Sequence, residues 1–341
     1  MRRKSFLATL SALALACLGI ALGFAVSSHK NPFALDTKPS PSASPNATSH
    51  GPHQLTSPFT GEPIKKLRPV IAVKIDNIVF ARPQTGLNKA DMVYVLPVEG
   101  GLTRFMAIFS SHIPPVIGPV RSAREDDLKL LRQFGTPGFA FSGASPQLLP
   151  WIEGSRTVDL YANRVGGYYR GSGRIAPYNL YVHGAALQKE ARHATKARNI
   201  GFRFGPAPAG GIKVSSFSMT YPATRYRFVW SAKKDRWLIW IDGRPEMTTD
   251  GGQASAATIV IQHTLVRKSR FIEWGALPPY AASTGKGTAV VLRNGKLYHA
   301  NWSRTNPDRG TTFTTRSGKR MTFPVGRVWI LLTGNRANEA G

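Results

Sequence analysis

One uncharged, apolar stretch near the N-terminus constrains what the rest of this chain can be. It runs from Phe6 to Val26, directly after the basic residues Arg2–Lys4. That length is about what a helix needs to cross the hydrocarbon core of a bilayer. Basic residues before such a segment keep the N-terminus in the cytoplasm. We therefore assign residues 1–30 to a signal or membrane anchor and predict a cell-membrane location, with the folded part on the extracytoplasmic side.

Three fates of this segment remain open, and they differ in what stays on the mature protein. An uncleaved anchor is favoured, because the apolar stretch is longer than the usual core of a signal peptide. A lipid on Cys17 is the second alternative, although the chain stays apolar from Leu18 to Val26. A cleaved signal is the third, since Ala25-Val26-Ser27 could pass as a small-residue cleavage site.

Charge and cysteine usage narrow the chemistry of the exported part. Lys and Arg number 45 against 18 Asp and Glu, a formal net charge of +27 that favours an anionic partner. Nucleic acid is an improbable partner outside the cytoplasm, which leaves phosphorylated lipids and wall polymers. Cys17 is the only cysteine, so the exported part has neither an intramolecular disulfide nor a thiolate metal site. The eight histidines show no metal-ligand spacing, and we predict neither a metal nor a cofactor.

Composition divides the remaining chain into three segments. Residues 31–58 are rich in Pro, Ser and Thr and too poor in apolar residues to build a core, which predicts a disordered spacer. Residues 59–205 alternate short apolar strands with helical patterns and predict an α/β (or α+β) first domain. After a Gly- and Pro-rich stretch, residues 206–341 carry short aromatic runs and the hairpin signal Asn294-Gly295, which predicts a mainly β second domain.

The segment Gly118–Glu125 is the leading candidate site. Ser122 and Glu125 have the spacing of a capping box and predict the start of a helix. Arg121 and Arg124 flank that start, where exposed backbone amides and the helix dipole attract anions. We therefore predict that these two arginines and Ser122 contact a negatively charged ligand.

Further charged and polar residues lie within or beside the apolar strands of the first domain. They are predicted to form either a buried network of ion pairs or part of the same site. Asp76 and Asn77 follow a strand, where an Asx turn is favoured over a cation site or an acid–base pair. Glu99 is predicted to pair with Arg104. The candidate ligand-binding set is Arg121, Ser122, Arg124, Arg82, Arg104, Asp76, Asn77 and Glu99, with no catalytic residue assigned.

Several phrases of the chain resemble the YerB-like lipoproteins of bacterial cell envelopes, whose domains have no assigned function. The matching phrases are Ile75-Asp76-Asn77, residues 81–87, 90–94 and 98–107, Ile117–Arg124, residues 176–181, and, near the C-terminus, Gly285-Lys286-Gly287, Asn294-Gly295-Lys296, Trp302 and Gly326–Trp329. The resemblance implies a membrane-tethered, two-domain exported protein and supplies no reaction. Tyr178 stands where the family pattern would lead us to expect histidine, which argues against a histidine-based mechanism there.

Three functions are compatible with these observations. The favoured one is a non-catalytic envelope protein that binds a phosphorylated lipid or wall polymer. The second is an enzyme that transfers envelope polymer or lipid-linked precursor, with arginines holding a pyrophosphate and Asp76 or Glu99 assisting transfer. The third is a protein-interaction scaffold. Whether the arginines and carboxylates converge in one open pocket or pair internally is the observation that the sequence leaves undecided.

Overall fold

A computed structural model describes residues 54–273, 275–334 and 339–340 of the protein. The predicted anchor and residues 31–53 of the predicted spacer lie outside these described residues. Within them, no helix is both long and apolar enough to span a bilayer. The spacer was predicted to extend to residue 58, but Ser57 is buried and its carbonyl accepts a 2.8 Å hydrogen bond from the Gly61 amide. The folded part therefore begins a few residues earlier than composition indicates.

Between residues 54 and 200 the described chain contains eight strands and three short α-helices. The strands are β1 (Ile71–Asp76), β2 (Met92–Pro97), β3 (Thr103–Phe109), β4 (Val116–Ile117), β5 (Gly138–Phe141), β6 (Val158–Tyr161), β7 (Tyr168–Arg170) and β8 (Leu180–His183). The helices are α1 (Glu125–Leu131), α2 (Leu149–Glu153) and α3 (Gly184–Glu190).

The rest of the described chain is built from strands. They are β9 (Ile212–Lys213), β10 (Ser216–Tyr221), β11 (Thr224–Ser231), β12 (Arg236–Ile241), β13 (Arg244–Pro245), β14 (Met247–Thr248), β15 (Gly252–Gln253), β16 (Ser255–Ala256), β17 (Thr258–His263), β18 (Val266–Lys268), β19 (Pro279–Ala281), β20 (Gly285–Arg293), β21 (Lys296–Arg304), β22 (Thr312–Thr315), β23 (Val328–Thr333) and β24 (Glu339–Ala340). The β20–β21 hairpin turns at Asn294-Gly295, as predicted, and both residues have a positive φ.

An 11-stranded mixed sheet forms the centre of the fold. Its strand order is β22-β21-β20-β17-β23-β2-β3-β1-β5-β6, and β9 pairs with β21. Strand β2 joins β3 as an antiparallel hairpin but lies parallel to β23, which comes from the far C-terminal part of the chain. One sheet thus runs through both predicted domains. This continuity does not favour two independently folding halves, and the boundary near residue 205 stays a prediction.

The fold class is more strongly β than the sequence indicates. Of the described residues, 42% lie in strands and 12% in helices, and the three α-helices among them are only five to seven residues long. The first domain therefore contains both strands and helices, as predicted, but strands predominate. The mainly β second part agrees with the prediction, because its strands show the alternating burial of a half-buried sheet, as in Trp237, Ile239 and Ile241 of β12.

Both faces of β1 are covered by apolar clusters, and this places charged side chains in unusual surroundings. Ile71, Val73 and Ile75 belong to one cluster, which also contains the inner face of the β10–β12 sheet. Ala72 points into the other cluster, under α1. All six residues of β1 are buried, including Lys74 and Asp76. A charge on such a strand needs a partner, because an unpaired buried ion is very costly.

Candidate functional site

A polar cleft of about 260 Å³ opens at the C-terminal end of β1. Asp76, the last residue of β1, lies opposite Arg104 at the start of the neighbouring strand β3. Three arginines and three carboxylates line the cleft together with Tyr178: Arg104, Arg121, Arg124, Asp76, Glu99 and Glu273. The predicted residues therefore both converge on an open pocket and pair with one another.

Each carboxylate of the cleft holds an arginine in place. Asp76 Oδ2 accepts a 2.8 Å hydrogen bond from Arg121 Nε, while its other oxygen accepts from the Asn77 amide at 2.9 Å. Glu99 Oε1 accepts from Arg124 Nε at 2.5 Å, and Glu273 Oε2 lies 3.5 Å from a terminal nitrogen of Arg124. The expected Glu99–Arg104 pair is present only at 4.0 Å, since Arg124 is the nearer partner.

Arg104 is the least well partnered cation of the cleft. Only 7% of the residue is exposed, and one terminal nitrogen donates to the Ser122 carbonyl at 3.1 Å. Its buried Nε has no hydrogen-bond partner among the described residues. Burial, followed by repulsion from Arg124, lowers the pKa of Arg104 to about 10, so it is still protonated at neutral pH. The cleft thus contains a buried positive group with an unused donor.

Arg121 is the cation most open to a ligand. About 19% of its side chain is exposed, against 2% for Arg124. Its Nε is committed to Asp76, and its guanidinium carbon lies 5.8 Å from the centre of the Tyr178 ring. Tyr178 therefore forms a wall of the cleft beside the exposed side of Arg121.

The predicted capping box at Ser122 is wrong. Helix α1 begins at Glu125, and Arg124 is its N-cap, in an extended conformation. The Asp127 carboxylate accepts a 2.7 Å hydrogen bond from the Arg124 amide, and so has the capping role at Arg124 that Glu125 was expected to have at Ser122. Arg124 and Asp127 have the same three-residue spacing as Ser122 and Glu125, and the helix begins at this later pair.

Glu125 instead accepts hydrogen bonds from residues in the second half of the chain. Its oxygens accept hydrogen bonds from Arg267 at 2.9 Å and from the Ser269 hydroxyl and the Arg270 amide at 2.8 Å. Burial alone would raise the pKa of Glu125, but these donors outweigh it and lower the pKa to about 2. Helix α1 has only seven residues, and Arg124 at its start is turned to carboxylates, so an anion site at this N-terminus stays a prediction.

Three predicted residues lie outside the lining of the cleft: Ser122, whose carbonyl accepts a hydrogen bond from Arg104, and Asn77 and Arg82. Asn77 Nδ2 donates to Thr103 Oγ1 at 2.8 Å and to the Tyr226 hydroxyl at 2.7 Å. Arg82 pairs with Asp242 at 2.8 Å and donates to the Asn77 carbonyl at 2.7 Å. Both side chains link the first part of the chain to the second-part sheet, so their placement is structural.

Sequence reasoning missed one charged member of the cleft. Glu273 lies in a tight turn that Ala276 closes with two backbone hydrogen bonds, far along the chain from the other members. No local pattern distinguishes this glutamate from other surface residues. Among the residues that the structure describes, no group of three or more His, Cys, Asp or Glu side chains is arranged to hold a metal ion.

Comparisons with known proteins agree with the described fold. The N-terminal domain of a family described as "Protein of unknown function (DUF3048)" matches residues 55–198, and its C-terminal domain matches residues 217–330. A relative described as "Putative lipoprotein YerB", from Bacillus subtilis strain 168, is 28% identical over 295 residues, covering 81% of this chain and 86% of that protein.

A solved structure shares the architecture. The crystal structure of YerB protein from Bacillus subtilis superposes with a TM-score of 0.73 at 23% identity, covering 84% of this chain and 99% of that one. At this level of sequence identity, the structural similarity is evidence for a shared fold alone. These matches confirm the resemblance to YerB-like lipoproteins. Because the two matched domains together span most of the sequence, the chain belongs to the DUF3048 family.

Proposed function

We propose that this protein is a membrane-tethered, extracytoplasmic binding protein whose cleft holds a phosphate-bearing envelope ligand. The ligand oxygens lie between Arg104 and Arg121, and Tyr178 forms the adjacent wall. The tether is the apolar segment of residues 6–26, which lies outside the described residues. The description of the Bacillus relative as a lipoprotein supports membrane attachment.

The observation that carries this proposal is the unpartnered Nε of Arg104. A buried donor without a partner is costly, and a donor on a charged group is more costly still. A ligand oxygen beside Arg104 would remove that cost and form a charge-assisted hydrogen bond. Exposed Arg121 supplies a second guanidinium at the same cleft, which suits the two or more oxygens of a phosphate.

The carboxylates of the cleft support binding more than catalysis. A general base works best with a pKa near the working pH. Although burial raises the pKa of Glu99, the hydrogen bond and charge of Arg124 outweigh it and lower the pKa below the ordinary value. Asp76 is held by Arg121 and Glu273 by Arg124. These acids therefore act to position arginines around the ligand.

The test is phosphate binding to the full-length chain, measured by calorimetry at neutral pH and low salt, in wild type and Arg121→Gln. We expect Arg121→Gln to weaken binding by about 10- to 100-fold, as the loss of one charged hydrogen bond predicts. Arg82→Gln is the matched control, because Arg82 has a similar exposure and an ion pair of the same length outside the cleft. No phosphate binding by wild type, or equal losses in both variants, would contradict the proposal.

A further inference from the structure

An apolar groove of about 420 Å³ lies directly beside the polar cleft. The two share Val98, Glu99 and Ala276 as common walls. The volume of the groove falls in the range of about 300–1,000 Å³ that is usual for small-molecule sites. The cleft and the groove therefore adjoin across these three residues, and we call the pair the depression, which has a charged end and an apolar end.

The lining of the groove has a uniform chemistry. Its walls include Pro97 at the end of β2, Pro222 between β10 and β11, Val266 of β18, and Leu277 and Pro278 before β19. Among the described residues that line it, Glu99 is the only charged one, and Glu99 is held by Arg124 at the boundary with the cleft. The groove thus offers hydrocarbon contact beyond that boundary and no further ion pair for a charged ligand.

Apolar side chains also remain exposed around the depression. Val266 and Leu277 of the groove are 37% and 43% exposed. On the far side of the cleft, Phe80 is 63% exposed and packs against the Tyr178 ring at 5.7 Å. Exposed large apolar residues that gather at one place usually mark a contact with an apolar partner.

We propose that the cleft and the groove together bind an amphiphile that carries a phosphate group on a single long hydrocarbon chain. The phosphate lies against Arg104 and Arg121, and the chain extends past Ala276 into the groove. This inference rests on the proposed anion site and adds the chemical class of the ligand. Charge complementarity fixes the orientation, because the cationic donors lie at one end of the depression and the apolar walls at the other.

The test uses water-soluble monoalkyl phosphates that differ only in chain length. Inorganic phosphate and butyl, hexyl and octyl phosphate are titrated into the full-length chain in phosphatidylcholine nanodiscs, with empty nanodiscs as the blank for partition into lipid. Each added methylene that enters the groove should tighten binding about fourfold, which corresponds to the transfer of one methylene from water. Octyl maltoside, which has the same chain length and no charge, should bind far more weakly than octyl phosphate.

Two substitutions separate the groove from the cleft. Ala276→Trp, at an exposed position between the cleft and the groove, should block the hydrocarbon chain and reduce the affinity for octyl phosphate to that of the same variant for inorganic phosphate. Leu277→Gln should reduce the dependence on chain length. Leu265→Gln is the matched control, since Leu265 is 68% exposed and does not line the groove.

The outcomes distinguish this inference from the function on which it rests. Chain-length dependence that is lost in Ala276→Trp supports the bipartite site. Equal affinities for inorganic and octyl phosphate overturn it and leave the anion site in place. Equal affinities for octyl phosphate and octyl maltoside also overturn it, because the groove would then take hydrocarbon without regard to charge. Failure of every phosphate to bind would reject both proposals.

Discussion

Two clusters of charged residues share β1, and they differ in how their charges are balanced. The cleft has three arginines and three carboxylates, is open to water, and leaves Arg104 with an unused donor. Two residues earlier on the same strand, Lys74 is completely buried and pairs with Asp127 at 2.6 Å, with Asp126 beside it. The closed cluster has more acids than cations. Charge density alone therefore does not distinguish the two clusters, whereas exposure and the unused donor of Arg104 do.

The largest expected effect is at the closed cluster. Lys74→Met removes the only cation that Asp127 pairs with in the described structure and leaves two buried acids together. Removing one partner of a buried ion pair typically costs about 3–5 kcal/mol. Urea unfolding at pH 7 should show a loss of this size. Adding Asp127→Asn to Lys74→Met should recover part of the lost free energy of unfolding. If Lys74→Met alone costs less than about 1 kcal/mol, the closed cluster tolerates the loss of a charge as the open cleft does.

Within the cleft, Arg124 and Arg121 should behave differently. Arg124→Gln leaves Glu99 and Glu273 without their shared cation and should cost about 2 kcal/mol, less than Lys74→Met because Glu99 keeps partial contact with water. Arg121→Gln should cost about half as much or less, because the side chain is more exposed. Thermal unfolding compares the two variants. Equal losses would show that both arginines are structural.

A separate effect is a pH dependence that arises in the closed cluster. Burial raises the pKa of Asp126 to about 7 from an ordinary value of 3.8. The charge of Lys74 opposes this rise, and the charge of Asp127 adds to it. Between about pH 4 and pH 7 the unfolded chain has released this proton and the folded protein has not. The free energy of unfolding should therefore fall as pH rises through this window, by at most about 1.4 kcal/mol per pH unit, and then level off.

Asp126→Asn isolates that contribution. Its free energy of unfolding should depend less on pH between pH 4 and pH 7 than that of wild type. Burial also raises the pKa of Glu246 to about 7, against the charge of Arg82, and this group acts in the same direction. Glu246→Gln should therefore remove a separate share of the slope. An unchanged pH profile in Asp126→Asn would show that Asp126 is already ionised in the folded protein.

Local patterns predicted the strands well and the long-range partners poorly. The apolar runs at residues 70–75 and 92–96 correspond to β1 and β2, because an apolar run between turn residues is a local signal. The neighbours Asp76 and Arg104 could be expected to meet at one end of a hairpin sheet. Glu273 could not, since it enters the cleft from a distant turn. Ser122 has the spacing of a capping box with Glu125, but its carbonyl accepts a hydrogen bond from Arg104, and Arg124 is the N-cap of α1.

The parallel pairing of β2 with β23 has a consequence for how the chain is made. Met92 lies opposite Val328, so an interior strand of the sheet is supplied by almost the last described segment. Contacts so distant in sequence form slowly, because a long loop must close before they contribute any stability. The N-terminal half therefore cannot complete its sheet while the ribosome is still adding residues. An exported chain would benefit from this delay, because it would stay unfolded until its C-terminal part had crossed the membrane.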